Sequence, residues 1–314
     1  MVHPAHPRRI VTRLVDGAVC AYDLTAGAMG VLTPAAVFRP HDEDEAVSHA
    51  VSADLRRAYY ATLDAVVCVT AEGAELWRSE FAPRSEERFG HRPGCALSSD
   101  GGLLWVYRPD AMAGRNRPDQ WVAVDAGTGA TVARADLQTV GHGGSHLLHP
   151  ADGRMLLDVG EGQDGTVIHR ASVADGRMEL FGYPWTDRCL MDLSPDGRHF
   201  MTVDHEQADV AVHGYPGGDV GFTLTVDAFG HDPEEVCVEW SGGYLTPDTL
   251  VVTLIGETED EEEWFRRYRV DAHAGRVLAP FDARSENPYD FTPLGDGTWL
   301  TTDPSGHPVR RTDS

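Results

Sequence analysis

The chain has 314 residues, with 50 acidic and 26 basic side chains and a net charge of −24. Every basic residue is Arg, which excludes a Walker-A phosphate lysine, a Schiff-base lysine and a lysine general base. The acidic balance also excludes sequence-independent nucleic-acid binding, because phosphate contacts need a basic footprint.

The first residues, MVHPAHPRRIVTRLVDGAV, hold no apolar stretch long enough for a signal-peptide core and no small-residue cleavage site. No run approaches the ~20 apolar residues of a membrane span. A cytoplasmic protein with no membrane partner is expected. Ile occurs only at Ile10, Ile168 and Ile255, and Asn only at Asn116 and Asn287. Lys, Ile and Asn share AT-rich codons, so a G+C-rich genome explains all three scarcities and points to a bacterial source. Cys20, Cys68, Cys95, Cys189 and Cys237 are odd in number, widely spaced and without a CxxC pair. Each lies in an apolar strand-like run and is expected to be a small buried hydrophobe.

Residues 10–14 read as a first strand. An offset of 48 residues then places Arg8-Arg9 on Arg56-Arg57, Asp16 on Asp64, and Val19-Cys20 on Val67-Cys68. Each copy reads as strand, Asp turn, strand. A small-residue turn recurs after apolar strands. It appears as Leu97-Ser98-Ser99-Asp100-Gly101, His149-Pro150-Ala151-Asp152-Gly153 and Leu193-Ser194-Pro195-Asp196-Gly197. Ser52-Ala53-Asp54 is a looser copy, and Gly295-Asp296-Gly297 a copy with an insertion. Asp-Gly after an apolar run is a hairpin signal, since Gly accepts the positive φ the turn needs. These turns mark six inner hairpins, beginning near residues 47, 95, 146, 190, 237 and 290. A second set of Gly turns follows alternating strands near residues 26, 73, 128, 175, 217 and 274. The stretch 261–269 reads as the start of a strand, through Trp264, Phe265, Tyr268 and Val270. Leftover strands at 10–14 and 308–312 suggest a further, split blade.

Four short antiparallel strands per ~48 residues, repeated, predict an all-β single domain over residues 1–314, a β-propeller. Seven blades are expected, with six the alternative, and with N- and C-terminal strands pairing to close the ring. The sequence resembles the WD40/YVTN-type propeller repeat. Gly90-His91, Gly141-His142 and Gly230-His231 precede inner strands, and Ser194-Pro195-Asp196-Gly197 matches the family's turn. No Trp-Asp dipeptide occurs. The resemblance implies that His91, His142 and His231 are structural, each hydrogen-bonding within its own blade. It does not fix a function.

In a propeller, the loops leading into the innermost strands share one face with the loops joining second to third strands. This top face collects the unusual residues. The acid runs 42–45 and 257–263 fall there, the latter with six carboxylates in seven positions. Asp204-His205-Glu206 is the compact catalytic candidate, because a His flanked by carboxylates can act as general acid or base. Arg92, Arg108 and Arg188 are candidates for clamping an anion at the channel mouth. His91, His142, His231 and Asp232 complete the candidate binding set. His142 and His146 are the metal candidates, together with His149 by spacing, although His146 and His149 point to opposite faces of a strand. Ser145 lies near them, but no GxSxG elbow is present.

The expectation is an interaction scaffold that takes a protein or peptide partner, basic in character, on an acidic top face. The alternative is a small-molecule enzyme, a lyase or hydrolase, with a His/carboxylate or metal site at the top of the channel. No cofactor is predicted beyond a divalent metal in that alternative.

Overall fold

Seven antiparallel sheets succeed one another along the chain in a computed structural model that describes residues 9–85, 90–258, 260 and 262–313. Blade 1 holds Ile10–Val15, Ala18–Asp23 and Ala36–Phe38. Blade 2 holds Ser48–Val51, Arg57–Ala61, Ala65–Thr70 and Glu75–Glu80. Blade 3 holds Gly94–Leu97, Leu103–Arg108, Gln120–Asp125 and Thr131–Asp136. Blade 4 holds Gly143–Leu148, Met155–Gly160, Thr166–Ala174 and Arg177–Gly182. Blade 5 holds Arg188–Leu193, His199–Asp204, Asp209–Gly214 and Asp219–Thr225. Blade 6 holds Val236–Thr246, Thr249–Glu257, Glu263–Asp271 and Arg276–Phe281. Blade 7 takes Thr292–Pro293, Thr298–Thr302 and Pro308–Thr312, with Gly30–Val31 as its outer strand. The protein is an all-β, seven-bladed propeller, and the six hairpins read from the sequence each open a blade. The only helical elements described are two short 3₁₀ turns, Gly162–Asp164 and Val226–Phe229.

The ring closes where Val309 pairs with Val31 and Arg310 with Gly30. Ile10–Val15 is not part of that closure. It pairs with Ala18–Asp23 inside blade 1. The 48-residue offset matches it to the second strand of blade 2, so the described residues of blade 1 hold three strands and no counterpart of the innermost one. Residues 30–38 serve two blades in succession: Gly30–Val31 lies on the edge of blade 7, and Ala36–Phe38 returns to Ala18–Asp23.

The recurring Ser-x-Asp turn has a repeated physical cause. The Ser hydroxyl donates to the Asp carboxylate two residues on, at 2.6 Å for Ser52–Asp54, 2.6 Å for Ser98–Asp100 and 2.7 Å for Ser194–Asp196. The same hydroxyl accepts the N–H of Arg57, Leu103 or His199, where the next strand begins. In blade 4, His149 stands in the Ser place and its Nδ1 accepts the Asp152 N–H.

The core is divided into seven apolar clusters, one between each pair of adjacent blades. Met201, Val212, Tyr244 and Leu254 join blades 5 and 6, and Tyr59, Cys68, Leu104 and Val124 join blades 2 and 3. Trp105, Trp121 and Leu157 join blades 3 and 4, and Val19, Tyr60 and Val67 join 1 and 2. The remaining three lie between 7 and 1, 4 and 5, and 6 and 7. Third strands are therefore buried on both faces and read as continuous apolar runs, AVCAYD and AVVCVT. Fully burying one such Val, Leu or Phe side chain is worth about 1.5–3 kcal/mol. Cys20, Cys68 and Cys95 follow the expectation of burial, Cys189 is part-buried, and Cys237 is exposed. Cys237 departs from it because its side chain faces a hollow on the top face.

Blade contact also dictates one glycine. Gly129, in the outer turn of blade 3, has φ +73°, and a Cβ there would lie 2.6 Å from the Trp77 ring of blade 2. The Trp77 indole donates to the Ala126 carbonyl in the same turn. Gly129→Ala is expected to lower stability by roughly 1–3 kcal/mol through overpacking. Urea unfolding measures this, and a change within about 0.5 kcal/mol, the range of a neutral surface substitution, would contradict the packing account.

Candidate functional site

The strands alternate in direction, so the loops named in the sequence come together on one face, around the upper end of the channel. Two of the three candidate arginines there are already committed. Arg188 forms a fork with Asp209, at 2.5 and 3.2 Å. Arg108 pairs with Asp110 at 3.2 Å and lies 4.6 Å over the Phe81 ring. Asp110 is fully buried and also holds Arg115 at 3.0 Å and Arg117 at 3.4 Å. Arg115 continues to Asp64 and to the carbonyls of Leu63 and Pro83. This network ties the loop after Leu103–Arg108 to blade 2 and leaves Arg108 little freedom to take a ligand. Arg92 is exposed and lines a hollow of about 400 Å³ with Ser48, Gly94, Ser145 and Asp158.

The histidines occupy separate places. His91 is buried. His231 meets the Tyr268 hydroxyl at 2.7 Å within blade 6, the own-blade contact that the resemblance implies. His142 differs, since its Nδ1 reaches the Gly90 carbonyl in the loop before blade 3, at 2.8 Å. His146 accepts the Trp121 indole N–H across the same blade boundary, at 3.1 Å. Burial pushes its pKa down to about 3, which keeps it neutral as that acceptor. His149 contacts the Gly197 carbonyl at 2.8 Å and stacks on Tyr215. No group of three His, Cys, Asp or Glu side chains is placed to hold a metal among the described residues.

Asp204-His205-Glu206 turns out of the second strand of blade 5. The Asp204 carboxylate accepts the N–H of Glu206 at 2.9 Å, and so shapes the turn. The His205 backbone N–H donates to Asp187, and its ring lies 6.1 Å from that of Trp240. Neither carboxylate hydrogen-bonds the His205 ring among the described residues. Trp240 belongs to a feature the sequence reading missed. The innermost strand of blade 6 slips register between Val238 and Gly242, so Glu239, Trp240 and Ser241 bulge from the ladder. Glu239 is buried and accepts from the Tyr289 hydroxyl at 2.8 Å, and the Trp240 indole donates to the Asp204 carbonyl. Trp240 and Tyr289 stay 38% and 59% exposed, two aromatic faces beside the channel mouth. The Ser241-Gly242-Gly243 run was the available signal, because paired glycines inside an apolar strand mark a bulge.

On the same face lies a hollow of about 580 Å³ lined by Glu234, Glu235, Cys237, Ile255, Glu257 and Glu263, the last of them close to Tyr289. No cation lies in ion-pair range of these four carboxylates among the described residues. Asp232 caps the loop before them by accepting the Glu234 N–H at 3.0 Å. Of the acid run 257–263, Glu259 and Glu261 lie outside the described residues. In the other acid run, Asp44 is tied to Arg78 at 2.7 Å and to the Tyr60 hydroxyl, while Asp42, Glu43 and Glu45 are exposed.

Asp158 is the second residue the sequence did not single out. It sits near the upper end of Met155–Gly160, accepting from the Thr166 hydroxyl and from the Leu190 N–H at 2.9 Å. Burial pushes its carboxyl up to about 6, against the pull of those hydrogen bonds and of nearby His205. A carboxyl shifted this way can exchange its proton near neutral pH, so Asp158 is an acid–base candidate at this mouth.

No protein-family profile and no curated protein matches the sequence. Solved structures do. The hydrazine synthase of Kuenenia stuttgartiensis is 15% identical with a TM-score of 0.54, over 82% of this chain and 74% of that one. BamB from Moraxella catarrhalis is 13% identical with a TM-score of 0.53, over 96% and 81%. The dihydro-heme d1 dehydrogenase NirN, solved in complex with DHE, is 15% identical with a TM-score of 0.57, over 96% of this chain and 59% of that one. These likenesses establish the propeller fold and leave function open.

Asp158 gives a pH prediction. An unfolded carboxyl titrates near ~3.9, whereas Asp158 holds its proton in the fold to about 6. Its contribution to stability is therefore fully present below about pH 4 and is lost as pH rises through the folded value. Asp158→Asn removes that loss. Relative to the native chain, the variant should gain up to about 3 kcal/mol between pH 4 and pH 7, read by urea unfolding at each pH. A difference that does not change with pH would mean that the carboxyl titrates normally.

Proposed function

We propose that this propeller is an interaction module whose acidic top face binds a basic, Arg/Lys-rich protein segment. One observation carries the reading: Glu234, Glu235, Glu257 and Glu263 share one hollow with no cation in ion-pair range among the described residues, and the same face exposes Tyr289, close to Glu263, and Trp240, at the Asp204 turn. Guanidinium and ammonium groups pair with carboxylates and stack on aromatic faces, so acid and aromatic side by side suit such a segment. Burial first, and then Glu239 and Glu263, push the Tyr289 hydroxyl up to about 12, so it stays protonated beside them. The net charge of −24 would steer a basic partner toward the protein at low salt. The WD40/YVTN-like repeat pattern supports the same reading, and a cytoplasmic setting is proposed with it. Among the described residues no helix is long and apolar enough to cross a membrane.

A second reading rests on Asp158 near His205 in the Arg92 and Ser145 hollow, as an acid–base site for a small molecule. It needs a substrate in that hollow and makes no demand on the acidic rim.

Fluorescence anisotropy with a labelled Arg/Lys-rich peptide separates the two. Binding at low salt is expected, weakened about tenfold or more at 0.5 M NaCl. Changing Glu234, Glu235, Glu257 and Glu263 together to Gln should cause a similar loss. A peptide that fails to bind at low salt, or binds the Gln variant equally well, contradicts the proposal.

A further inference from the structure

The opposite end of the channel carries a second hollow, of about 410 Å³, among the inner hairpins of blades 4 to 7. Its size falls at the lower end of small-molecule sites, roughly 300–1,000 Å³. Leu147, Leu193 and Leu294 give it apolar walls, and Pro150, Pro195 and Pro293 stiffen it without offering N–H donors.

Asp192, Tyr244, Arg9 and Asp296 interrupt this lining, and the first two are not held by an ion pair among the described residues. Asp192 lies where the innermost strand of blade 5 slips register after Leu190, which turns the carboxylate off the ladder. It accepts the Leu193 N–H at 2.8 Å and the Tyr244 N–H at 2.7 Å. The chain is shaped around it: Gly243 has φ +143°, and a Cβ there would lie 2.4 Å from an Asp192 oxygen. No cation reaches ion-pair distance of Asp192 among the described residues. Arg9 also lines the hollow, but its guanidinium is committed to Asp296 at 3.2 Å and to the Leu294 carbonyl. Asp296 takes Arg310 as well, at 2.8 Å. The second group is the Tyr244 hydroxyl. Tyr244 is 1% exposed, and its hydroxyl has no hydrogen-bond partner among the described residues. Buried polar groups ordinarily find partners, so this one marks a place where a partner is missing.

We propose that this lower hollow binds a small organic ammonium ion, a molecule with one protonated amine on a compact apolar body. The ammonium supplies what both side chains lack. One N–H donates to the Asp192 carboxylate and neutralises it, and another donates to the Tyr244 oxygen. The apolar body fills the Leu and Pro walls. An anion would meet Asp192 with its arginine neighbour already engaged, and a bare metal ion would find only one carboxylate not held by arginines, since Asp296 is taken by Arg9 and Arg310. Burial pushes the Asp192 carboxyl up to about 7, against the pull of its two backbone hydrogen bonds and of Arg9. The site lies on the face opposite the acidic rim and stands whether or not that rim binds a peptide.

The test is isothermal titration calorimetry of the full chain with phenethylamine, and with 2-phenylethanol and phenylacetate as neutral and anionic counterparts. Phenethylamine is expected to bind, with both counterparts at least about tenfold weaker. Tyr244→Phe removes only the unpartnered hydroxyl, so it should keep the melting temperature and weaken phenethylamine about tenfold. Asp192→Asn should abolish the preference for the amine; if that variant does not fold, Tyr244→Phe decides alone. No heat from phenethylamine up to about 10 mM, equal binding of 2-phenylethanol, or unchanged affinity in Tyr244→Phe would each overturn the proposal.

Discussion

Apolar contact between neighbouring blades is the interaction on which the rest of this structure depends. No sheet here covers itself. Each presents two apolar faces, and each face finds its cover only in the next blade, which is why the core divides into seven clusters at seven boundaries. The arrangement is satisfied only when the ring closes. Gly30–Val31 performs that closure by crossing to Pro308–Thr312 before the chain returns to blade 1. Two residues of ladder are a small contact, and the cluster of Leu24, Leu32, Leu294 and Leu300 beneath them supplies the apolar part of the join.

With the core confined to the boundaries, polar groups are left for the two ends of the channel. Many are spent on architecture. Arg108 and Arg115 bind the blade 2–3 boundary through Asp110, Arg188 clasps Asp209, and His146 and His149 each bridge to a neighbouring blade. What remains is informative by contrast. At the top, four glutamates share a hollow with no cation in ion-pair range among the described residues, on the same face as two exposed aromatics. At the bottom, among the described residues, a carboxylate with no ion pair lines the same hollow as a tyrosine whose hydroxyl has no hydrogen-bond partner. Binding function is read from those unsatisfied groups.

The sequence shows the fold readily because its signals are local. An Asp-Gly turn needs positive φ whatever surrounds it, and a strand buried on both faces must be apolar along its whole length. The ring closure is less visible, since Gly30–Val31 is too short to carry a period, and the strand at 10–15 resembles a loose end. The sites are harder still. Asp204-His205-Glu206 looks like an acid–base group when read along the chain, but in space its Asp204 shapes the turn. Asp158 and Asp192 look like ordinary polar positions in strands, and their carboxyls are raised by burial that only the assembled fold creates. Trp240 becomes exposed only because a bulge lifts it out of a strand whose pattern would otherwise bury it.

The central claim is that the rigid ring presents one acidic and aromatic surface, between blades 5, 6 and 7, to a basic partner. Hydrogen–deuterium exchange with and without a saturating Arg/Lys-rich peptide tests it most directly. The account predicts added protection at residues 204–207, 232–241 and 286–290, with the inner hairpins of blades 2 to 4 unchanged. Protection centred instead on Arg92, Ser145 and Asp158, or spread evenly around the ring, would contradict it.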